Sequence, residues 1–184
     1  MTVEVLLVCS ANVCRSPMAA AMLGAASERM GLDLDIRTAG IALHELTVDP
    51  MAVQTMAARG LDISAHVPRL VEGADVADAD LILTMTREHL RHIATEFPGS
   101  FTRTFTLKEA VRRMGERGLP YPFDTAALHD GRTPTDLMGV SFDDDIDDPF
   151  GGPASAYGRC VTELDAAIGS LCMQFRLARP DVIA

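Results

Sequence analysis

The chain has 184 residues, a formal net charge of −10, 48% hydrophobic residues and four cysteines. That length suits one domain with a real core, and the acidity argues against nucleic acid as the main partner, because a phosphate backbone is bound by clustered cations. No apolar run reaches the ~18 residues of a transmembrane helix, and Glu4 interrupts a signal-like start, so the expectation is a cytoplasmic protein without a membrane partner.

Val3 to Val8 reads as a buried strand and Met18 to Met30 as a helix. Leu34 to Thr38 is a short strand closed by Ala39-Gly40, and Pro50 opens a helix that runs to Arg59 before Gly60. Ala79 to Thr84 is a further buried strand, followed by a helix from about Arg87 to Glu96. Phe101 to Phe105 reads as a fourth strand and Leu107 to Met114 as a helix. Glycine, proline and aspartate dominate from Gly115 to Gly152, so a long loop insert is expected at about 115–145. Ala154 to Leu177 closes the chain as a helix, with Val161, Leu164, Ile168, Leu171 and Phe175 at core spacing. Short apolar strands alternating with helices predict an α/β fold, a parallel sheet with helices on both faces. Ligands bind such sheets at the carboxyl ends of the strands.

Cys9 ends the first strand. Ser16 reads as a helix N-cap and Pro17 as the first helical residue. Residues 10–16 therefore arc over a helix amino terminus, whose amides and dipole make an anion site. A thiolate at that centre, with Arg15 able to fork two hydrogen bonds to an oxyanion, is the equipment for phosphoryl transfer to sulfur. Such chemistry also needs a general acid for the leaving group. The stretch SFDDDIDDPFGG, Ser141 to Gly152, is the place to look, but composition does not choose among its five aspartates. Cys160 and Cys172, on the closing helix, read as small core residues. His89 and His92, one helical turn apart, read as solvated rather than as metal ligands. His44 is placed in a loop at the border of the substrate entrance.

Val8 to Pro17, VCSANVCRSP, resembles the phosphate-binding loop of the low-molecular-weight protein tyrosine phosphatases. Asp148-Pro149 stands where that family carries its Asp-Pro loop before the last helix. Thr38-Ala39-Gly40 resembles its Ser-Ala-Gly strand end, and Gly60 to His66, GLDISAH, resembles its segment with a loop-buttressing histidine. The resemblance covers most of the chain in the right order. It implies a flavodoxin-like three-layer sandwich around a four-stranded parallel sheet, with residues 1–184 forming one domain. It also implies hydrolysis of phosphotyrosine in proteins without metal or cofactor. By the same resemblance Cys9 is the nucleophile, Arg15 the phosphate clamp, Ser16 the donor to the Cys9 thiolate and Asp148 the general acid and base. Asn12, Thr38 and His66 hold the loop in shape. Ser10, Ala11, Asn12, Val13, Cys14 and Phe150 line the substrate site, and Cys14 is the redox partner that traps oxidised Cys9 as a disulfide. The implied partner is a phosphorylated protein, a bacterial-type tyrosine kinase among the candidates; the oligomeric state stays open.

Two departures bear on this. Ala11 stands where the family usually has glycine, and a methyl group there is strained if the position needs a positive φ. Asp148 to Gly152, DPFGG, resembles a sister subgroup of protein arginine phosphatases, yet that subgroup has threonine where this loop has Val13. The apolar Val13, read as facing the substrate entrance, favours phosphotyrosine, with arginine phosphatase as the alternative. Arsenate reduction on this fold needs further cysteines near Thr84, and Thr84 to His89 has none. A non-catalytic phosphate-binding module predicts a missing nucleophile or acid, whereas Cys9, Arg15 and Asp148 are all present.

Overall fold

Val3, Val5, Leu7 and Cys9 alternate with Leu6 and Val8 along the first strand, and both sets are buried, in two different apolar clusters. A strand whose two faces both need cover lies inside a parallel sheet with helices above and below. The computed structural model describes residues 2–42, 47–137 and 143–178, and it shows that arrangement. β1 (Val3–Cys9) pairs in parallel with β2 (Leu34–Gly40) on one side and β3 (Leu81–Thr84) on the other; β4 (Thr104–Thr106) pairs with β3, giving the order β2-β1-β3-β4.

Helices α1 (Arg15–Met30), α2 (Pro50–Ala57), α5 (Leu107–Arg117) and α8 (Ala154–Ala178) supply the larger cluster, and α3 (Gly73–Asp78) and α4 (Arg87–Glu96) cover Leu6, Val8 and Ile82 on the other face. This is a three-layer α/β sandwich. α8 buries Tyr157, Cys160, Val161, Leu164, Ile168, Leu171, Cys172 and Phe175 along one stripe, at the i, i+3, i+4 spacing that a core-facing helix requires. Among the described residues no helix is long and apolar enough to cross a membrane.

Several boundaries depart from expectation. α1 begins at Arg15, not Met18, with Cys14 at the N-cap position and no side-chain cap. Ser16 is therefore not a cap; it lies inside the first turn, where its hydroxyl serves the site. The stretch Phe101 to Phe105 is mostly a 3-10 turn, Pro98–Arg103, because Pro98 opens it and the Thr104 hydroxyl closes back on the Ser100 carbonyl at 2.8 Å. Only Thr104–Thr106 is left as strand. α2 stops at Ala57, and Gly60 turns the chain at φ 77°, a conformation that favours glycine.

The expected long loop contains two short helices, α6 (Ala126–His129) and α7 (Pro134–Leu137). Arg132 ties this segment to the body. Its guanidinium lies 4.1 Å over the Phe105 ring and 4.5 Å over Phe101. It donates to the Phe101 and Thr104 carbonyls at 3.0 and 2.9 Å and pairs with Glu109 at 3.1 Å. Burial lowers its pKa to about 10.

Candidate active site

The carboxyl ends of β1 and β2 sit side by side, Cys9 opposite Gly40. The chain leaves β1, passes through residues 10–14 and enters α1, so the loop's backbone lies across the helix amino terminus. The close fit is set by Gly40. A Cβ there would stand 2.8 Å from the Ser10 carbonyl oxygen and 2.9 Å from the Ala11 carbonyl carbon, closer than real Cβ contacts allow. The β2 end also holds the loop by backbone bonds: Ile41 N–H to Cys9 O at 3.1 Å and Ala42 N–H to Ser10 O at 2.9 Å. Gly40→Ala is accordingly expected to displace the loop and lower kcat/KM about a hundredfold, since a shift of about 1 Å costs that much in a positioned site. Steady-state kinetics beside a thermal melt checks it.

Asn12 is the residue with positive φ, at 58°. Ala11 is not, so the strain expected at Ala11 does not arise. Asparagine tolerates the left-handed region because its short side chain bonds locally, and here every polar group of Asn12's amide has work. Its Nδ2 donates to Ser16 Oγ at 2.9 Å and its Oδ1 accepts from Arg69 N–H at 3.1 Å, while its backbone carbonyl accepts from His66 Nε2 at 2.8 Å. Burial lowers the His66 pKa, against the opposing effect of the bond it donates to the Asn12 carbonyl. Arg69 in turn forks onto Asp75 at 2.7 and 2.8 Å, and that pairing lowers the Asp75 pKa. Thr38 behaves differently. It pairs with Leu7, two residues back from the strand end, and among the described residues its side chain makes no hydrogen bond to the loop. Gly40 provides that support instead.

Cys9 is buried with its sulfur 3.0 Å from Ser16 Oγ. Ser16 accepts from Asn12, so its own hydroxyl proton is free to point at the sulfur. Arg15, 3% exposed, projects from the first position of α1. Its Nη2 donates to Ser10 Oγ at 2.8 Å and to Asp148 Oδ2 at 2.5 Å, and its Nη1 to the Ile146 carbonyl at 3.2 Å. Cys9, Ser10, Ala11, Val13, Cys14, Arg15, Asp148 and Phe150 together line a cavity of about 140 Å³. Val13 contributes a buried wall and Phe150 a half-exposed rim. Burial pushes the Cys14 thiol up.

The structure separates aspartates that composition leaves equivalent. Asp144 takes Arg87 and Arg112 at 3.0 and 3.2 Å. Asp145 accepts the Arg87 N–H at 2.7 Å, at the start of α4, and its carbonyl accepts Lys108 at 2.6 Å. Ile146 N–H bonds Met85 O at 2.8 Å, just beyond β3. Asp147 is exposed. Asp148 reaches the thiol's cavity, with Phe150 N–H on its other oxygen at 3.2 Å. Asp144 and Asp145 thus stake the loop to the sheet end, and Asp148 reaches the site.

The family model for low molecular weight phosphotyrosine protein phosphatase matches residues 4–130. The chain belongs to this family. It is a phosphatase, a hydrolase of phosphoryl groups. A protein-arginine-phosphatase of Bacillus subtilis (strain 168) is 30% identical over 177 residues, covering 96% of this chain and 99% of that one. A probable low molecular weight protein-tyrosine-phosphatase of Ralstonia solanacearum is 40% identical over 111 residues, 59% of this chain and 73% of that one. Among solved structures, a low molecular weight protein tyrosine phosphatase from T. tengcongensis is 29% identical with a TM-score of 0.72, over 92% of this chain and 97% of that chain.

The matched part of this phosphatase contains the loop and its supports. Asp148 lies beyond it, and the relative from Bacillus subtilis, alike over nearly the whole chain, spans that part too. His89 is 3% exposed and bonded to Ser10 of the loop after β1, not solvated; a threonine three residues before a histidine at a helix start is the sequence signal that could have placed it. Arg69 and Arg87 carry no such signal, because their partners are set by tertiary packing. His44 lies outside the described residues. Cys160 and Cys172 are buried in the core, and burial raises the Cys160 thiol to about 12.

Proposed function

We propose that this phosphatase hydrolyses phosphotyrosine in proteins by two transfers at Cys9. In the first, the Cys9 sulfur attacks phosphorus, the bond from phosphorus to the tyrosine oxygen breaks, and Asp148 gives its proton to that oxygen. The loop amides and Arg15 hold the equatorial oxygens, on which the charge of the transition state sits. In the second, water attacks the phosphocysteine, Asp148 takes a proton from it, and the sulfur leaves with the Ser16 hydroxyl donating to it. A bound phosphate takes over the Arg15 N–H group that Asp148 now occupies, which releases the carboxyl to turn toward the leaving oxygen. Asn12 and His66 keep the loop in shape. Cys14 is read as the thiol that condenses with a Cys9 sulfenic acid formed by peroxide, giving a disulfide and water.

The observation that favours tyrosine is the wall above the cradle. Ala11, Val13 and Phe150 give a phenyl ring apolar contact, and Val13 offers no hydrogen-bond partner to a guanidino group. The alternative, a phosphoarginine substrate, is favoured by the likeness to the Bacillus subtilis arginine phosphatase along almost the whole chain and by Phe150-Gly151-Gly152. The test compares kcat/KM for a phosphotyrosine peptide and a phosphoarginine peptide of one sequence. The reading expects phosphotyrosine to lead by at least about tenfold, about 1.4 kcal/mol of discrimination. A lead for phosphoarginine overturns the choice of substrate and leaves the two-step chemistry standing.

A further inference from the structure

His89 is a buried titratable side chain that the two-step chemistry does not use. It sits in the first turn of α4 with both ring nitrogens engaged: Nε2 is 2.9 Å from Ser10 Oγ, and Nδ1 is 2.9 Å from Thr86 Oγ1. Ser10 Oγ in turn accepts from Arg15 Nη2 at 2.8 Å. A line of hydrogen bonds therefore runs from the start of α4, through the residue that follows the nucleophile, to the guanidinium at the start of α1.

We assign the donors outward from Arg15. Arg15 has only hydrogens to give, so Ser10 Oγ accepts from it. The single Ser10 hydroxyl proton is then donated to His89 Nε2, which makes Nε2 the acceptor of a neutral ring. The ring's proton is on Nδ1 and is donated to Thr86 Oγ1, which also accepts the His89 backbone N–H at 3.3 Å. The neutral ring suits its setting: burial lowers the His89 pKa to about 3, with the nearby Arg15 and His92 charges adding to the effect.

We propose that His89 and Ser10 are a positioning pair for Arg15. The ring holds the Ser10 hydroxyl in one rotamer, and the Ser10 oxygen then pins one edge of the guanidinium against the loop. The remaining N–H groups are left aimed at the cavity. Arginine is a long side chain whose fork binds an oxyanion well only when its plane is fixed beforehand. With the pin removed, Arg15 keeps its bonds to the Ile146 carbonyl and to Asp148 and turns toward the acid loop, away from the phosphate cradle. The proposal rests on Arg15 being the phosphate clamp.

The test measures competitive inhibition by inorganic phosphate, with kcat and KM, for Ser10→Ala, His89→Leu, His89→Gln, the double variant Ser10→Ala/His89→Leu, and Arg15→Gln, each with a thermal melt. Ser10→Ala and His89→Leu are each expected to weaken phosphate inhibition about tenfold, the value of a bond to a charged group. The double variant is expected to be no worse than Ser10→Ala, because His89 acts through Ser10. His89→Gln, whose side-chain oxygen can accept from Ser10, restores phosphate inhibition to within about twofold of the parent. Losses that add in the double variant, or that track the melting temperature and are not rescued by glutamine, overturn the pair. Unchanged phosphate inhibition in Ser10→Ala alongside a loss in Arg15→Gln also overturns the pair but keeps the clamp. Unchanged inhibition in Arg15→Gln overturns the clamp reading itself.

Discussion

Cys9→Ser is expected to reduce hydrolysis of a phosphotyrosine peptide by about 10⁶-fold, the scale seen when a nucleophile is removed from a covalent mechanism, while the fold persists. Oxygen replaces sulfur at a position 2% exposed, with Ser16 Oγ 3.0 Å away, so the substitution is nearly isosteric and the hydrogen-bonded loop has no reason to move. What is lost is the sulfur proposed as the nucleophile. An alcohol at neutral pH is a far weaker one without an adjacent base, and the neighbour that could have been a base, His89, is turned away onto Ser10 at 2.9 Å. The check is a rate measurement with the variant's melting curve beside it. A residual rate above about one per cent of the parent, with the fold intact, assigns the nucleophile elsewhere.

The second large effect is at Asp148. Asp148→Ala is expected to lower kcat by about 10²–10⁴-fold, as for loss of a general acid, and the loss should steepen as the leaving group becomes a poorer one. The contact with Arg15 adds a second consequence of opposite sign. Asp148 occupies an N–H of a guanidinium whose side chain is 4% exposed, so removing the carboxylate frees that group for an oxyanion and removes a like charge from it. Inorganic phosphate should therefore inhibit Asp148→Ala more strongly than the parent enzyme. Asp147→Ala serves as the comparison, with a change below about threefold expected of an exposed carboxylate. Leaving-group series on both variants, with phosphate inhibition on each, decide it; an equal loss at Asp147 names the wrong carboxylate.

The parts of the fold that could be read from residues are those where one local rule acts alone. Val5 to Val8 is a short, wholly apolar run with valine at both ends, the pattern of a strand covered on both faces, and the stripe from Val161 to Phe175 has one period along a long helix. Boundaries failed where a residue serves two masters. Ser16 has the chemistry of an N-cap, but its hydroxyl is committed to Cys9 and Asn12, and the N-cap position falls two residues earlier, at Cys14. α3 was not foreseen because only Val76 of its six residues is buried, which leaves no period to detect.

In the site, the loop pattern and the Asp-Pro pair pointed to Cys9, Arg15 and Asp148, and the structure brings these three side chains to one cavity. The division of labour in the aspartate run was not. Asp144 and Asp145 find Arg87, 57 and 58 residues away, and no local spacing encodes a pairing made by the end of a neighbouring strand. The doubt over Ala11 had the same origin: which residue of the loop takes the left-handed conformation is set by the Arg69 and His66 bonds to Asn12, not by the composition of the loop.

The central claim is that phosphate passes through Cys9. Its most direct test is a rapid acid quench of the enzyme turning over a phosphopeptide labelled in its phosphate, followed by digestion and mapping of the label. The account predicts label on the Val8 to Pro17 segment as S-phosphocysteine at Cys9, absent in Cys9→Ser. Label on another residue, or turnover with none retained on the enzyme at any quench time, contradicts it.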